Sequence, residues 1–361
     1  MDNKNDEYPQ IINFIPIFEY CTTKTRLKLA KINEELYWAN KKALDYNRYH
    51  FKSPRLWNHN VILPNNITTM VLWNYNKHIG INILPRNLRE LVMNNYTKNI
   101  GPMLHGLTKL HTLKLLHYNR QLDKDMIPDN VENLKLRSYR RQLHKSYLPA
   151  ELKTLYLRKF DNIIDEEPIF PDKLEILTMV DFNRGIGNPF GIQVFPFSLR
   201  ELHLIRFSKT ILPNVLPSNL QTLEMVAYNR PFLQDSLPDG LEHLYLHNYN
   251  LLSTIKLPTN LRKLRFGWLK PGNINTNIRF LDKLEHLELN NYRWSYHHLP
   301  ILPPQLKTLK VNTVVDQHIV FKYIPVNCKV YEGMNTINVN TSSVRSRLKK
   351  LWFKEERRMY G

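Results

Sequence analysis

The stretch Leu237-Pro238-Asp239-Gly240-Leu241-Glu242-His243-Leu244-Tyr245-Leu246-His247-Asn248-Tyr249-Asn250 is one copy of a unit that recurs about every 21 or 22 residues. Counted from the proline, the unit is apolar at −1, Pro at 0, apolar at +3, +6 and +8, and aromatic at +11. Other copies start at Pro64, Pro85, Leu107, Pro128, Pro149, Pro171, Pro196, Pro217, Pro258, Leu281 and Pro303, with a fading one at Pro325. Position +6 runs from Met70 and Leu91 to Leu287 and Leu309, and position +8 from Leu72 and Met93 to Leu289 and Val311. Position +11 is aromatic in ten of twelve copies, so the column is a rule of the unit and not a local accident.

A fixed period held over a dozen copies implies a solenoid, because each unit can bury its apolar face only against its neighbours. Residues +5 to +9 alternate, with +6 and +8 inward, which predicts one short strand per turn and a parallel sheet when turns stack. Proline lacks an N–H and fixes φ, so position 0 belongs in the irregular corner before the strand. The aromatic at +11 fills the corner after it. A further apolar column stands at +15: Ile79, Ile100, Leu122, Leu143, Ile164, Ile186, Ile211 and Phe232. It fails at Ser253 and Asn273, so the last returns are expected to be less regular.

The formal charge of +19 and a pI near 9.7 favour acidic partners, nucleic acid among them. Abundant Lys, Asn, Ile and Tyr also fit simple compositional drift. The two cysteines, Cys21 and Cys328, fit neither a disulfide framework nor a metal spacing, which points to a reducing compartment. The polar start Met1-Asp2-Asn3-Lys4-Asn5-Asp6-Glu7 is no signal peptide, and no apolar run is long enough to span a membrane. A cytoplasmic monomer is expected, and the sequons at Asn66 and Asn95 are read as accidental.

Residues 1–45 do not follow the repeat. Thr22 or Thr23 is a good N-cap, and Leu29, Ile32 and Leu36 form a helical stripe. Pro9, Ile12, Ile17-Phe18-Glu19-Tyr20, Leu27-Lys28-Leu29 and Ile32 fall where an F-box has its proline, its apolar run and its second helix, and the segment resembles that family. It departs at Cys21, at Thr22-Thr23 in place of Asp-Pro, at Leu36 in place of Trp, and at Pro16 inside the first helix. Residues 46–62 carry no clear period and read as a linker and N-terminal cap, in which Leu56, Trp57, Val61 and Ile62 close the first turn.

The repeats over 63–333 resemble FNIP repeats, leucine-rich-repeat-like units built from Leu-Pro, Leu-x-x-Leu-x-Leu and Phe-Asn. Phe182-Asn183 carries the pair outright, Tyr75-Asn76, Tyr118-Asn119, Tyr228-Asn229 and Tyr249-Asn250 carry it with Tyr, and Phe160-Asp161 is an acidic version. Such repeats joined to an F-box are familiar from social amoebae and from large DNA viruses of amoebae. The expected fold is a leucine-rich-repeat-like solenoid, mainly β with irregular returns, with a small α-helical segment at the N-terminus. Residues 334–361 read as a basic C-terminal helix or cap, with Val344, Leu348, Leu351 and Trp352 on one face and Arg345, Arg347, Lys349, Lys350, Lys354, Arg357 and Arg358 around it.

Outward strand positions +5, +7 and +9 line the concave face, the usual binding surface of a solenoid. Candidate target-binding residues there are Trp73, the cluster Lys114, Lys135, Arg137, Tyr156 and Arg158, and a second cluster Tyr245, His247, Lys263 and Arg265. His203, His243, His247 and His286 also point outward, but no matched acid or Cys partner is visible for a metal. Neither a phosphate-cradling Gly loop nor a nucleophile motif appears, so no metal, cofactor or enzymatic activity is expected.

The F-box resemblance implies a substrate-recognition adaptor of a cullin-type ubiquitin ligase. Pro9, Ile12, Ile17, Phe18, Leu27, Leu29 and Ile32 would dock the ligase's small adaptor subunit, and the concave face would hold a target protein. The charge leaves a second class open: a nucleic-acid-binding or purely scaffolding solenoid with no ligase role.

Overall fold

A computed structural model of the chain describes residues 48–51, 67–164, 168–186, 193–247, 249, 256–267, 276–290, 302–312, 325 and 328–332. The F-box-like segment, most of the 46–62 stretch read as linker and cap, and the stretch 334–361 read as a basic C-terminal helix or cap lie outside these residues. The chain divides into two compact units, Met1–Phe160 and Asp161–Gly361.

The first unit contains β1 (Arg48–Phe51), β2 (Thr69–Leu72), β3 (Glu90–Met93), β4 (Thr112–Leu115), β5 (Asn133–Leu136) and β6 (Thr154–Arg158). Each strand pairs in parallel with the next in sequence, and equivalent positions face one another: Met70 with Leu91, Leu91 with Leu113, Leu113 with Leu134, Leu134 with Leu155. β1 falls inside the stretch read as linker and cap, and its backbone pairs with β2 in the same way. The unit therefore starts one strand earlier than the period shows. The second unit contains β7 (Ile176–Val180), β8 (Glu201–Ile205), β9 (Thr222–Val226), β10 (His243–Leu246), β11 (Lys263–Phe266), β12 (His286–Asn290), β13 (Thr308–Asn312) and β14 (Lys329–Glu332). These strands are also parallel and ordered as in the sequence. Strand per turn, parallel ladder and leucine-rich-repeat-like returns are as the sequence predicts.

The alternation +5 to +9 appears as half-buried, buried, half-buried, buried, half-buried in Thr154–Arg158. Every described +3, +6, +8 and +15 side chain of the expected columns for which burial is defined is buried. The core is thus a stack of equivalent apolar layers, each added leucine contributing about 2 kcal/mol of transfer free energy before entropy.

Position 0 works through its carbonyl. Pro85 O accepts from Leu88 N at 3.0 Å, Pro128 O from Val131 N at 3.1 Å, and Pro217 O from Leu220 N at 3.0 Å. Two consecutive N–H groups then share one carbonyl of the preceding turn, as Glu132 and Asn133 share His111 O. The two Leu-for-Pro exceptions have a physical cause. A helical turn precedes each, Gly101–Leu104 as α1 and Thr276–Phe280 as a 3₁₀ turn. Leu107 N donates to Leu104 O at 3.2 Å and Leu281 N to Ile278 O at 3.1 Å, so in these two places an N–H has an acceptor. Elsewhere the returns tolerate left-handed residues before the turn, and Asn and Asp supply them: Asn82, Asp125, Asn214 and Asp235 have φ of 61°, 60°, 58° and 59°.

The aromatic corner is a stack. Phe182, Phe207, Tyr228 and Tyr249 lie nearly parallel with successive ring centres 6.1 Å apart. Tyr in place of Phe brings a hydroxyl, which at Tyr139 is fully bonded. Tyr139 Oη accepts from Leu122 N and donates to Gln142 O, both at 3.2 Å. Burial pushes the Tyr139 phenol up to about 12.

The residue after the aromatic closes the turn. Asn183 Oδ1 accepts from Ser208 N at 2.9 Å and Ser208 Oγ at 3.0 Å, across a sequence separation of 25. Asn119 Oδ1 accepts from Arg140 N at 2.8 Å across 21, and Asp161 Oδ1 accepts from Asn183 N at 2.9 Å. This explains the Phe-Asn pair: the amide oxygen ends the ladder on the next turn's N–H. We expect Asn183→Ala to cost about 1 kcal/mol in urea unfolding, and Asn183→Asp to cost less because only the acceptor is used. Equal losses in both variants would show that the acceptor is not what matters.

Candidate functional site

The open face of each unit is built from the strand residues whose side chains leave the core. In the first unit, register places Lys114 beside Lys135 and Lys135 beside Tyr156. Arg137 follows β5, Arg158 ends β6, and Trp73 follows β2 with a side chain 38% exposed. The expected cluster is therefore one contiguous row across β4, β5 and β6, whereas Trp73 stands two strands away, after β2.

Its electrostatics are specific. Lys114 Nζ pairs with Glu90 Oε1 at 2.7 Å. Lys135 Nζ lies 4.3 Å from the centre of the Tyr156 ring, a cation–π contact. Partial burial, then the charges of Lys114 and Arg137, lower the Lys135 pKa from its ordinary value. Such crowding of like charges is tolerated because the ring face and the open solvent side accept the ammonium. A carboxylate placed over Lys135 and Arg137 would relieve it.

The second unit differs. Tyr245 faces Arg265 in the register of β10 and β11, and His243 faces Lys263. Here acids interleave with the bases. Glu224 lies between two histidines, with Oε2 2.8 Å from His203 Nδ1 and Oε1 2.8 Å from His247 Nε2. Glu201 Oε2 is 3.6 Å from His203 Nε2. Arg265 and Lys310 flank Glu288 at 3.1 and 3.3 Å. Reading the sequence for Lys, Arg and aromatics alone missed Glu90, Glu201, Glu224 and Glu288. They stand at +5 or +7, so the same column arithmetic would have found them. Among the described residues no group of His, Cys, Asp and Glu side chains could hold a metal ion, and no helix is long and apolar enough to cross a membrane. The seven residues proposed for adaptor docking, from Pro9 to Ile32, lie outside the described residues.

The FNIP Repeat family model matches residues 57–96, 118–160 and 228–268. The chain carries FNIP repeats. Within these segments the family pair includes Tyr118-Asn119, whose Asn has the ladder-closing role described above. Comparison with curated proteins finds no match for this FNIP-repeat chain. Among solved structures it is similar to CroV588, described as a novel circular LRR protein, at 24% identity and a TM-score of 0.53. That match covers 76% of this chain and 47% of CroV588, so the FNIP chain spans under half the length of that protein. Matches also include an internalin of Listeria monocytogenes, at 17% identity over 73% of this chain and 80% of that one, with a TM-score of 0.45. YopM of Yersinia enterocolitica matches at 17% identity over 75% and 74%, with a TM-score of 0.38. The CroV588 likeness places the FNIP fold among leucine-rich-repeat solenoids.

The His203–Glu224 pair gives the second unit a pH signature. The hydrogen bond from His203 is the largest cause holding the Glu224 carboxyl down at about 2, and the bond to Glu224 raises the His203 pKa. A raised histidine pKa contributes stability below its unfolded value and loses it as pH rises through the folded value. The depressed Glu224 contributes above the ordinary carboxylate range and loses it only as pH falls towards 2. We expect urea-unfolding stability to fall as pH rises above the ordinary histidine range, and Glu224→Gln to abolish most of that fall. A fall of unchanged size in the variant would assign it to other groups.

Proposed function

We propose that the chain is a protein-interaction scaffold that acts by binding and not by catalysis. The observation that carries this is the row Lys114, Lys135 and Tyr156 with Arg137 and Arg158, a preorganised surface on a rigid parallel ladder. Strand-borne side chains lose little freedom on binding, which favours affinity per contact. The crowded cations select an acidic segment as target, because a carboxylate over Lys135 and Arg137 offsets the repulsion from Lys114 and Arg137 that, after burial, lowers the Lys135 pKa.

The finer reading is a substrate-recognition adaptor of a cullin-type ubiquitin ligase in the cytoplasm, with the F-box-like segment docking the small adaptor subunit. Its support is the sequence match at Pro9, Ile12, Ile17, Phe18, Leu27, Leu29 and Ile32. In such an arrangement the solenoid sets the distance from target to ligase, and transfer is promoted by proximity.

Both parts are tested on the full chain by calorimetry. Titration with the small adaptor subunit is expected to give binding in the micromolar range or tighter, lost in Ile17→Ala/Phe18→Ala with the unfolding midpoint unchanged. Titration with a short Glu- and Tyr-rich peptide is expected to weaken about tenfold or more in Lys135→Glu/Arg137→Glu. Adaptor binding that ignores the first variant removes the ligase reading. Peptide binding that ignores the second removes the open face of the first unit as the target site.

A further inference from the structure

Two residues past the buried aromatic of each turn stands a position absent from the core rule. In the first unit it is Lys77, Lys98, Arg120 and Arg141 on four successive turns, following Tyr75, Tyr96, Tyr118 and Tyr139. In the second unit, taken by itself, it is Arg184, Lys209 and Arg230, following Phe182, Phe207 and Tyr228. All seven are exposed. This row lies past the aromatic corner and off the open sheet face.

The row is held in place. Hydrogen bonds between turns fix the positions on either side of it: Arg140 N donates to Asn119 Oδ1 at 2.8 Å, and Gln121 Nε2 donates to Gln142 O at 2.9 Å. Three of the four arginines, Arg141, Arg184 and Arg230, are also pinned. Arg141 Nε donates to Asn119 O, Arg184 Nε to Asp161 O and Arg230 Nε to Ser208 O, each at 3.0 Å. One edge of the guanidinium is thus fastened to the preceding turn, leaving the two terminal nitrogens of the fork for an external oxyanion. In the first unit no carboxylate among the described residues forms an ion pair with the four row cations.

The spacing selects a repeating anion. Strands repeat at about 4.8 Å, and the adjacent aromatic rings of the second unit repeat at 6.1 Å, so charges recur once per turn at comparable intervals. Flanking residues such as Asn76, Asn99, Asn119 and Gln121 are polar and uncharged. A protein partner would need apolar or aromatic anchors, which this strip does not offer. A strongly positive and polar strip is instead the composition of a nucleic-acid contact. The phosphates of a duplex strand wind around its axis and leave a row that stays on one face, whereas an unpaired strand can follow such a row.

We propose that Lys77, Lys98, Arg120 and Arg141 form a track for the phosphate backbone of single-stranded nucleic acid. The track reads charge and spacing, not base identity, since the aromatics beside it are buried and unavailable for stacking.

The test uses the full chain and fluorescence anisotropy with a labelled oligothymidylate at several salt concentrations. Lys77→Gln/Lys98→Gln/Arg120→Gln/Arg141→Gln is compared with Arg86→Gln/Arg89→Gln/Lys109→Gln/Lys124→Gln, which removes equal charge from exposed positions off the row. The row variant is expected to lose more than about tenfold in affinity and to flatten the log–log salt slope by about 3, near 0.7 per phosphate contact. The off-row variant is expected to change affinity by less than about threefold. Arg141→Lys keeps the charge and is expected to stay within about twofold, which separates charge from any structural role of the Nε pinned to Asn119 O. Equal losses in the row and off-row variants overturn the proposal, as does no binding at low salt. Tighter binding of a duplex of the same length, or displacement by an oligoaspartate of equal charge as effective as by unlabelled strand, overturns it too.

Discussion

Every turn of this chain depends on register with its neighbour. A single turn offers one short strand, three or four inward aliphatic side chains and one aromatic, too little to hold a loop of over twenty residues closed. Stacking with equivalent positions aligned changes that. Met70, Leu91, Leu113, Leu134 and Leu155 then form one continuous layer, and the carbonyls of Thr68, Arg89, His111 and Glu132 each receive two N–H groups from the next turn. A shift of one residue would turn the leucines outward and bring Lys135 and Arg265 into the core.

That alignment also organises the surface. Because equivalent residues recur on successive turns, any side chain allowed at an outward position becomes a row. The open face of the first unit is a row of cations broken by Tyr156, and that of the second is interleaved with Glu224 and Glu288. Two faces made by one repeat rule therefore differ in charge logic: the first gathers Lys114, Lys135 and Arg137 with Glu90 paired to Lys114, and the second sets Glu224 and Glu288 between bases.

The columns at +3, +6, +8, +11 and +15 were legible because burial imposes one chemistry on every copy. Position 0 was legible as proline, but the reason for Leu107 and Leu281 was not, since it depends on helical turns of four or five residues whose carbonyls reach those N–H groups. β1 escaped because Tyr49 and Phe51 follow no proline and no Leu-x-x-Leu run. On the open face the bases were read and the acids passed over, so Lys114 was seen without Glu90 and His247 without Glu224. Pairing across 21 to 24 residues is invisible until the turns are stacked.

The ladder-closing asparagines act across unequal distances, 21 residues from Asn119 to Arg140 and 25 from Asn183 to Ser208. Near-identical turns invite a misassembly in which a strand docks one whole turn out of place, since leucine would still meet leucine. The longer return between Phe182 and Phe207 then acts as a counting mark. Skipping a turn there would leave the surplus residues with no room in a loop sized for a shorter one, and the error would be expelled while folding is still reversible. Irregularity in the returns, on this view, is what lets a repetitive chain keep count.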